Sequence, residues 1–219
     1  MKNKKAVCLV SGGLDSAVAA AVAIDKGYEP IFLFLRYGQK TQKKEEWCFD
    51  ELVKFWMIKQ AYKVDLPWIK EFGGSALFEK DISLDEMNFR LEYVPFRNSI
   101  FLSIATALAE VRGADIVVIG STGGDHVCPD NSQEFHDSFQ KVVEIGTMLK
   151  KDIKIFHPLT ETNKTGVVSI GNKLKVPFKY TWSCHNKTDF ACGHCSNCLA
   201  RIEAYKLNVS TDPIEYEKQ

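Results

Sequence analysis

A chain of 219 residues is long enough for one domain that buries roughly 70% of its unfolded surface, so no disulfide staple is needed for folding. Lysine plus arginine number 28, as do aspartate plus glutamate, so net charge exerts no general pull towards nucleic acid or an anionic membrane. The apolar run after Lys5 is too short for a signal peptide or a membrane span, so a cytoplasmic location is expected; there, seven cysteines point to metal or catalytic thiols rather than to a disulfide framework.

The first strand is read in Ala6-Val7-Cys8-Leu9-Val10, and an alanine-rich helical pattern runs to about Lys26, with Gly27 placed to end it. Between them stands Ser11-Gly12-Gly13-Leu14-Asp15-Ser16. Successive main-chain N–H groups in such a turn form a concave nest, and the helix start adds unpaired donors and the positive end of its dipole. Anions bind there. Gly12 and Gly13 let a phosphate approach the backbone, while Ser11 and Ser16 bring hydroxyl donors. No lysine follows the glycines as it does in a Walker loop. In this setting the hexapeptide resembles the pyrophosphate loop of the PP-loop superfamily, the N-type ATP pyrophosphatases. Its members cleave ATP between the α and β phosphates and attach AMP to an oxygen of the substrate. The alternative is an ordinary strand-to-helix turn.

Pro30-Ile31-Phe32-Leu33-Phe34-Leu35 reads as a second buried strand ending in Arg36-Tyr37-Gly38-Gln39. In open parallel sheets ligands lie beyond the carboxyl ends of the strands, which places this tetrapeptide beside the first loop. Tyr37 is either a nucleotide neighbour or a packing aromatic. Residues 43–58 form an amphipathic helix and residues 61–66 a third strand. Residues 67–94 show little period and are either a lid or a poorly patterned helical excursion.

Arg97 and Asn98 open a strongly apolar helix that ends at Arg112-Gly113, a position that suits reaching an anion or a base edge in an adjacent cleft. Residues 114–120 are the clearest strand, followed by a loop carrying Asp125, Cys128 and Asp130. Ser132 begins a helix, residues 152–156 make a fifth strand, and a helix spans about 163–175. Lys164 lies in that helix's first turn, where a cation is unfavourable unless an anion is near. A phosphate would answer that need.

Cys184, Cys192, Cys195 and Cys198 supply four thiolates within fifteen residues, enough for a closed tetrahedral zinc site of structural type. His185 or His194 could replace one cysteine, and an iron–sulfur cluster also accepts four thiolates. A helix is expected from Cys198 to Lys206.

The first loop, the Tyr37-Gly38-Gln39 strand end, Val94-Pro95-Phe96-Arg97-Asn98 and the cysteine set in one chain resemble the QueC family of the PP-loop superfamily. The resemblance runs from Ala6 to about Lys206. It implies a doubly wound, mostly parallel five-stranded α/β sheet over residues 1–178 and a small zinc-binding helical segment over 179–219. It also implies conversion of 7-carboxy-7-deazaguanine, ATP and ammonia into 7-cyano-7-deazaguanine, with Mg2+ and Zn2+ as metals, no direct nucleic-acid or membrane partner, and a homodimer. On that basis Ser11, Asp15, Ser16, Arg97 and Lys164 serve catalysis. Val10, Ser11, Gly12, Gly13, Leu14, Asp15, Ser16, Phe34, Tyr37 and Gly120 hold the nucleotide, and Arg97, Asn98, Asp125 and Asp130 meet the base. Two stretches depart from the family pattern: residues 120–132, one residue shorter than usual, and Phe96, where glycine is usual. These leave three other readings: a relative that couples the acid to a different amine such as a protein N-terminus, a tRNA-thiolating enzyme using Cys128, and a zinc-ribbon binding module.

Overall fold

Five stretches, apolar except for the edge strand at residues 60–65, become the strands of one sheet in the computed structural model, which describes residues 4–78, 82, 84, 89–123, 128–148 and 152–218, with main chain alone at 89 and 90. They are β1 (Lys5–Leu9), β2 (Glu29–Arg36), β3 (Gln60–Asp65), β4 (Ile116–Val118) and β5 (Lys154–Phe156), in the order β3-β2-β1-β4-β5. Every neighbouring pair is parallel, with Val7 registered against both Ile31 and Val117. The helices are α1 (Leu14–Asp25), α2 (Gln42–Phe55), α3 (Pro67–Glu71), α4 (Arg97–Arg112), α5 (Gln133–Gly146), α6 (Lys164–Lys173) and α7 (Ser196–Leu207).

The two-residue period of a strand sorts the core into two layers. Val7, Leu9, Ile31, Leu33, Leu35 and Val117 pack with Leu102 and Ala105 of α4 on one face. Ala6, Cys8, Phe32, Phe34 and Val118 pack with α1, α2, α6 and α7 on the other. Both faces are covered, which is why the strands read as continuous apolar runs instead of alternating ones. Alanines 17, 19, 20, 21 and 23 are almost fully buried and let α1 lie close to the sheet. Gly27 ends α1 with φ of 81°.

The expected strands and main helices are all present, with ends displaced by one to three residues. The 67–94 connection contains α3 and a short 3₁₀ turn at Phe89–Glu92. The cysteine-bearing segment is tied to the sheet domain: Ala204 and Tyr205 of α7 lie in the α1-side core, and Trp182 N–H donates to the Gly12 carbonyl at 2.9 Å. Arg201, fully buried, braces this joint by pairing with Asp212 through both Nε and Nη2 and donating to Thr181 and Phe178. Among the described residues no helix is long and apolar enough to cross a membrane.

Candidate functional site

β1 has β2 on one side and β4 on the other, so the connections leaving its carboxyl end and that of β4 diverge and open a crevice. A cavity of about 480 Å3 occupies it. Its floor is the 11–16 turn. Gly12 has φ of 76°, and a Cβ there would run into the main-chain carbonyl of Glu45, so only glycine lets α2 pack on the turn. The serines brace it: Ser16 Oγ donates to the Gly13 carbonyl at 3.0 Å, accepts from Ser11 N–H at 3.1 Å and lies 3.1 Å from Ser11 Oγ. Gly120 presses β4's end against α1, where an added Cβ would be 2.8 Å from Ser16 N.

Asp15 and Lys164, 149 positions apart, meet above this floor at 2.5 Å. The anion that Lys164 needs at the start of α6 is therefore already present as a carboxylate. The other carboxylate oxygen, Asp15 Oδ1, is buried without a hydrogen-bond partner. Arg97 enters from the opposite wall. One guanidinium N–H donates to Tyr37 Oη at 3.0 Å, and the group stacks over Tyr37 and Phe101. Burial works against its charge, but Tyr37 and the nearby Cys128 and Asp130 hold its pKa above the usual arginine value, so it stays a cation. Its remaining donors make no hydrogen bond to a described residue, and it lines the cavity.

Val10, Ser11, Gly13, Leu14, Ser16, Tyr37, Asn98 and Gly120 border the cavity. Three expectations are corrected. Phe34 belongs to the opposite layer, because Leu33 and Leu35 are the β2 side chains that face the cavity. Gly12 is turned towards α2. Asp130, only 5% exposed, accepts from Asn98 N–H at 2.8 Å and so caps α4, whose preceding residue Phe96 offers no side-chain acceptor. Asn98 in turn donates to the Asp130 carbonyl and to Asn131 Oδ1, which commits its amide to the 129–131 turn. Asp125 lies outside the described residues.

Residues that sequence reading missed complete the wall. Glu92 accepts from His185 Nδ1 at 3.0 Å, Ser196 Oγ at 2.6 Å and Asn197 Nδ2 at 2.9 Å. These contacts hold the 67–94 connection to the cysteine segment. Their only signal in the chain was the position of Glu92 at the end of the unpatterned stretch.

The four cysteine Sγ atoms of 184, 192, 195 and 198 lie within 4.8 Å of one another and are buried. A single ion bound at about 2.3 Å by tetrahedral sulfurs sets them about 3.8 Å apart; Cys192 and Cys198 are at 3.9 Å. Main-chain N–H groups of 186, 187 and 192 point at Cys184 Sγ, as thiolate ligands require. His185 and His194 are engaged elsewhere, through Glu92 and the Cys192 carbonyl. The donor set fits one closed, tetrahedral ion.

Comparison with known proteins agrees with this geometry. A family model described as queuosine biosynthesis protein QueC matches residues 5–209. A 7-cyano-7-deazaguanine synthase of Sulfurovum sp. (strain NBC37-1) is 40% identical over 99% of this chain and 100% of its own length. The protein of that name from Methanoculleus marisnigri is 41% identical over 98% of this chain and 100% of its length. Among solved structures, a 4-thiouridine synthetase in complex with RNA and bound ATP superposes with a TM-score of 0.53 at 19% identity, over 93% of this chain and 50% of that one. An NMN synthetase from Francisella tularensis gives 0.50 at 19% identity, over 96% and 79%. The structural matches speak for the fold; the end-to-end sequence matches, with the loop, cavity and cysteine set in place, show that the chain belongs to the QueC family.

Proposed function

We propose that this chain is an ATP-dependent ligase that adenylates the carboxylate of 7-carboxy-7-deazaguanine and, with ammonia, converts it to 7-cyano-7-deazaguanine. The observation that carries the reading is the cavity at the sheet's switch point, walled by the glycine turn at the start of α1, Lys164 and Arg97, in a chain matched throughout by relatives bearing the synthase name. A carboxylate is a poor electrophile with a poor leaving group. Attack of its oxygen on the α-phosphorus of ATP releases pyrophosphate and leaves a mixed anhydride. Ammonia displaces AMP to give the amide; a second activation, at the amide oxygen, lets loss of AMP and protons leave the nitrile.

The chain's own groups serve this by position and charge. The N–H groups at the start of α1 and the helix dipole receive the departing pyrophosphate. Lys164 and Arg97 stand where negative charge accumulates. The unpartnered Oδ1 of Asp15 suits a water of a Mg2+ ion bound with the nucleotide, which would neutralise phosphate charge. The four cysteines suit Zn2+, and a closed site of that kind is structural.

Incubation of the protein with 7-carboxy-7-deazaguanine, ATP, magnesium and ammonia, followed by mass spectrometry, tests the reading. Nitrile with AMP supports it. Amide as the final product would move the assignment to a relative that serves another amine, and absence of AMP would overturn it.

A further inference from the structure

Ser121 follows Gly120 at the carboxyl end of β4 and is 3% exposed. It borders the cavity, yet its Oγ is buried and has no hydrogen-bond partner among the described residues. The main chain on both sides is pinned. Gly120 is pressed against the first turn of α1, Gly123 N–H donates to the Thr162 carbonyl at 3.1 Å, and a Cβ on Gly123 would meet the Thr160 carbonyl. With the main chain held on both sides, the hydroxyl can be re-aimed only by rotation about its own Cα–Cβ bond. A buried, unpaired hydroxyl destabilises the fold relative to alanine of similar placement, so its presence calls for a ligand acceptor.

The phosphate end of the cavity already has its donors in the start of α1 and Lys164. Ser121 stands at the end of β4, on the side that leads to residues 128–131 and Asn98, away from the β2 end where Tyr37 lies. Among the described cavity residues the other buried side-chain atom without a hydrogen-bond partner, Asp15 Oδ1, is an acceptor. Ser121 is its complement, a donor. An oxygen-bearing group lying between α1's first turn and the end of β4 would be met by this hydroxyl once it rotated about its Cα–Cβ bond into the cavity.

We propose that Ser121 donates a hydrogen bond to the carboxyl group of the acid as it takes the adenylyl group, making it a catalytic and specificity residue for the first half-reaction. This rests on the adenylation reading above. The acid's oxygen gives up its negative charge as it bonds to phosphorus, so the hydrogen bond acts before that point, by fixing which carboxyl oxygen faces the α-phosphorus.

The test uses the full chain and the variants Ser121→Ala and Ser121→Cys, the latter keeping the volume with a weak donor. Thermal midpoint without ligands, ATP affinity by calorimetry without the acid, and AMP formation at varied acid are measured. Expected are an unliganded midpoint equal to or above that of the unaltered chain, an ATP Kd within about twofold, and kcat/KM for the acid lowered about 10- to 100-fold in both variants. An unchanged kcat/KM in either variant overturns the assignment, as does an ATP Kd that weakens in step with activity. A midpoint lowered by several degrees shows a structural serine and likewise overturns it. If the unaltered chain forms no AMP from ATP and the acid, the adenylation reading falls and takes this one with it.

Discussion

Asp15 gives one oxygen to Lys164 at 2.5 Å and leaves the other buried and without a partner among the described residues, and the proposed function gives this pair a part in adenylation. Asp15→Asn keeps the side-chain shape and removes the charge. AMP formation is expected to fall about 100-fold or more while the thermal midpoint moves by only a few degrees; undiminished AMP release would remove the pair from the mechanism. Lys164's need for an anion was legible from its place in a helix's first turn, but the partner 149 residues away was not. Phe96 is a second case at this scale. It adopts φ of 56° and ψ of 23° and is 64% exposed, a left-handed conformation that costs a non-glycine residue about 1–2 kcal/mol. Phe96→Gly relieves that strain at an entropic cost of about 0.5–1 kcal/mol. Urea denaturation is expected to show a variant unchanged or up to about 1 kcal/mol more stable, whereas Phe96→Val, β-branched, is destabilised.

α5 and the end of β5 carry a titration built into the packing of two elements. The rings of His136 and His157 stack at 4.5 Å and 14°, and His136, 1% exposed, has no partner for either nitrogen. Burial, with His157 adding to it and Asp137 opposing weakly, pushes the His136 pKa down to about 4, and burial lowers His157 as well. The folded chain therefore binds fewer protons than the unfolded one between about pH 6.5 and 4. This contribution is complete above pH 6.5 and is lost as pH falls through that window. His136 alone predicts a loss of about 2 kcal/mol between pH 7.5 and 5.0, and His136→Phe should remove most of it in paired denaturant titrations. An unchanged pH slope in that variant would show that the imidazole is not the source. The elements themselves were legible because a sheet covered on both faces produces plain apolar runs such as residues 31–35. What their periods concealed was orientation: Leu33 and Leu35 face the cavity and Phe34 does not. Asp130 was misread for a related reason. The chain shows a carboxylate near a strand end, but not that α4 begins behind Phe96 without a cap and takes that carboxylate as its own.

At the scale of the molecule, the cysteine segment and the 11–16 turn are one construction. Trp182 N–H holds the Gly12 carbonyl, the Trp182 ring lies under Lys44 of α2 at 4.6 Å, and Cys48 of α2 packs with the four ligand cysteines. Removing the metal should therefore act at a distance. Cys195→Ser is expected to lose bound metal, drop the stability by about 3 kcal/mol or more and weaken ATP binding through the 11–16 turn. A metal-free variant of full stability and affinity would contradict a structural role for the site. Glu92 and His185, 93 positions apart, join the same construction from the other side, a link that no spacing in the chain announces. The central claim is that the cavity passes an adenylyl group to the acid's own oxygen, and isotope transfer measures this most directly. With 7-carboxy-7-deazaguanine labelled with 18O in both carboxyl oxygens, each AMP released on the way to the nitrile is predicted to carry one 18O. AMP formed without the label would mean that ATP is cleaved by water, and the account would be contradicted.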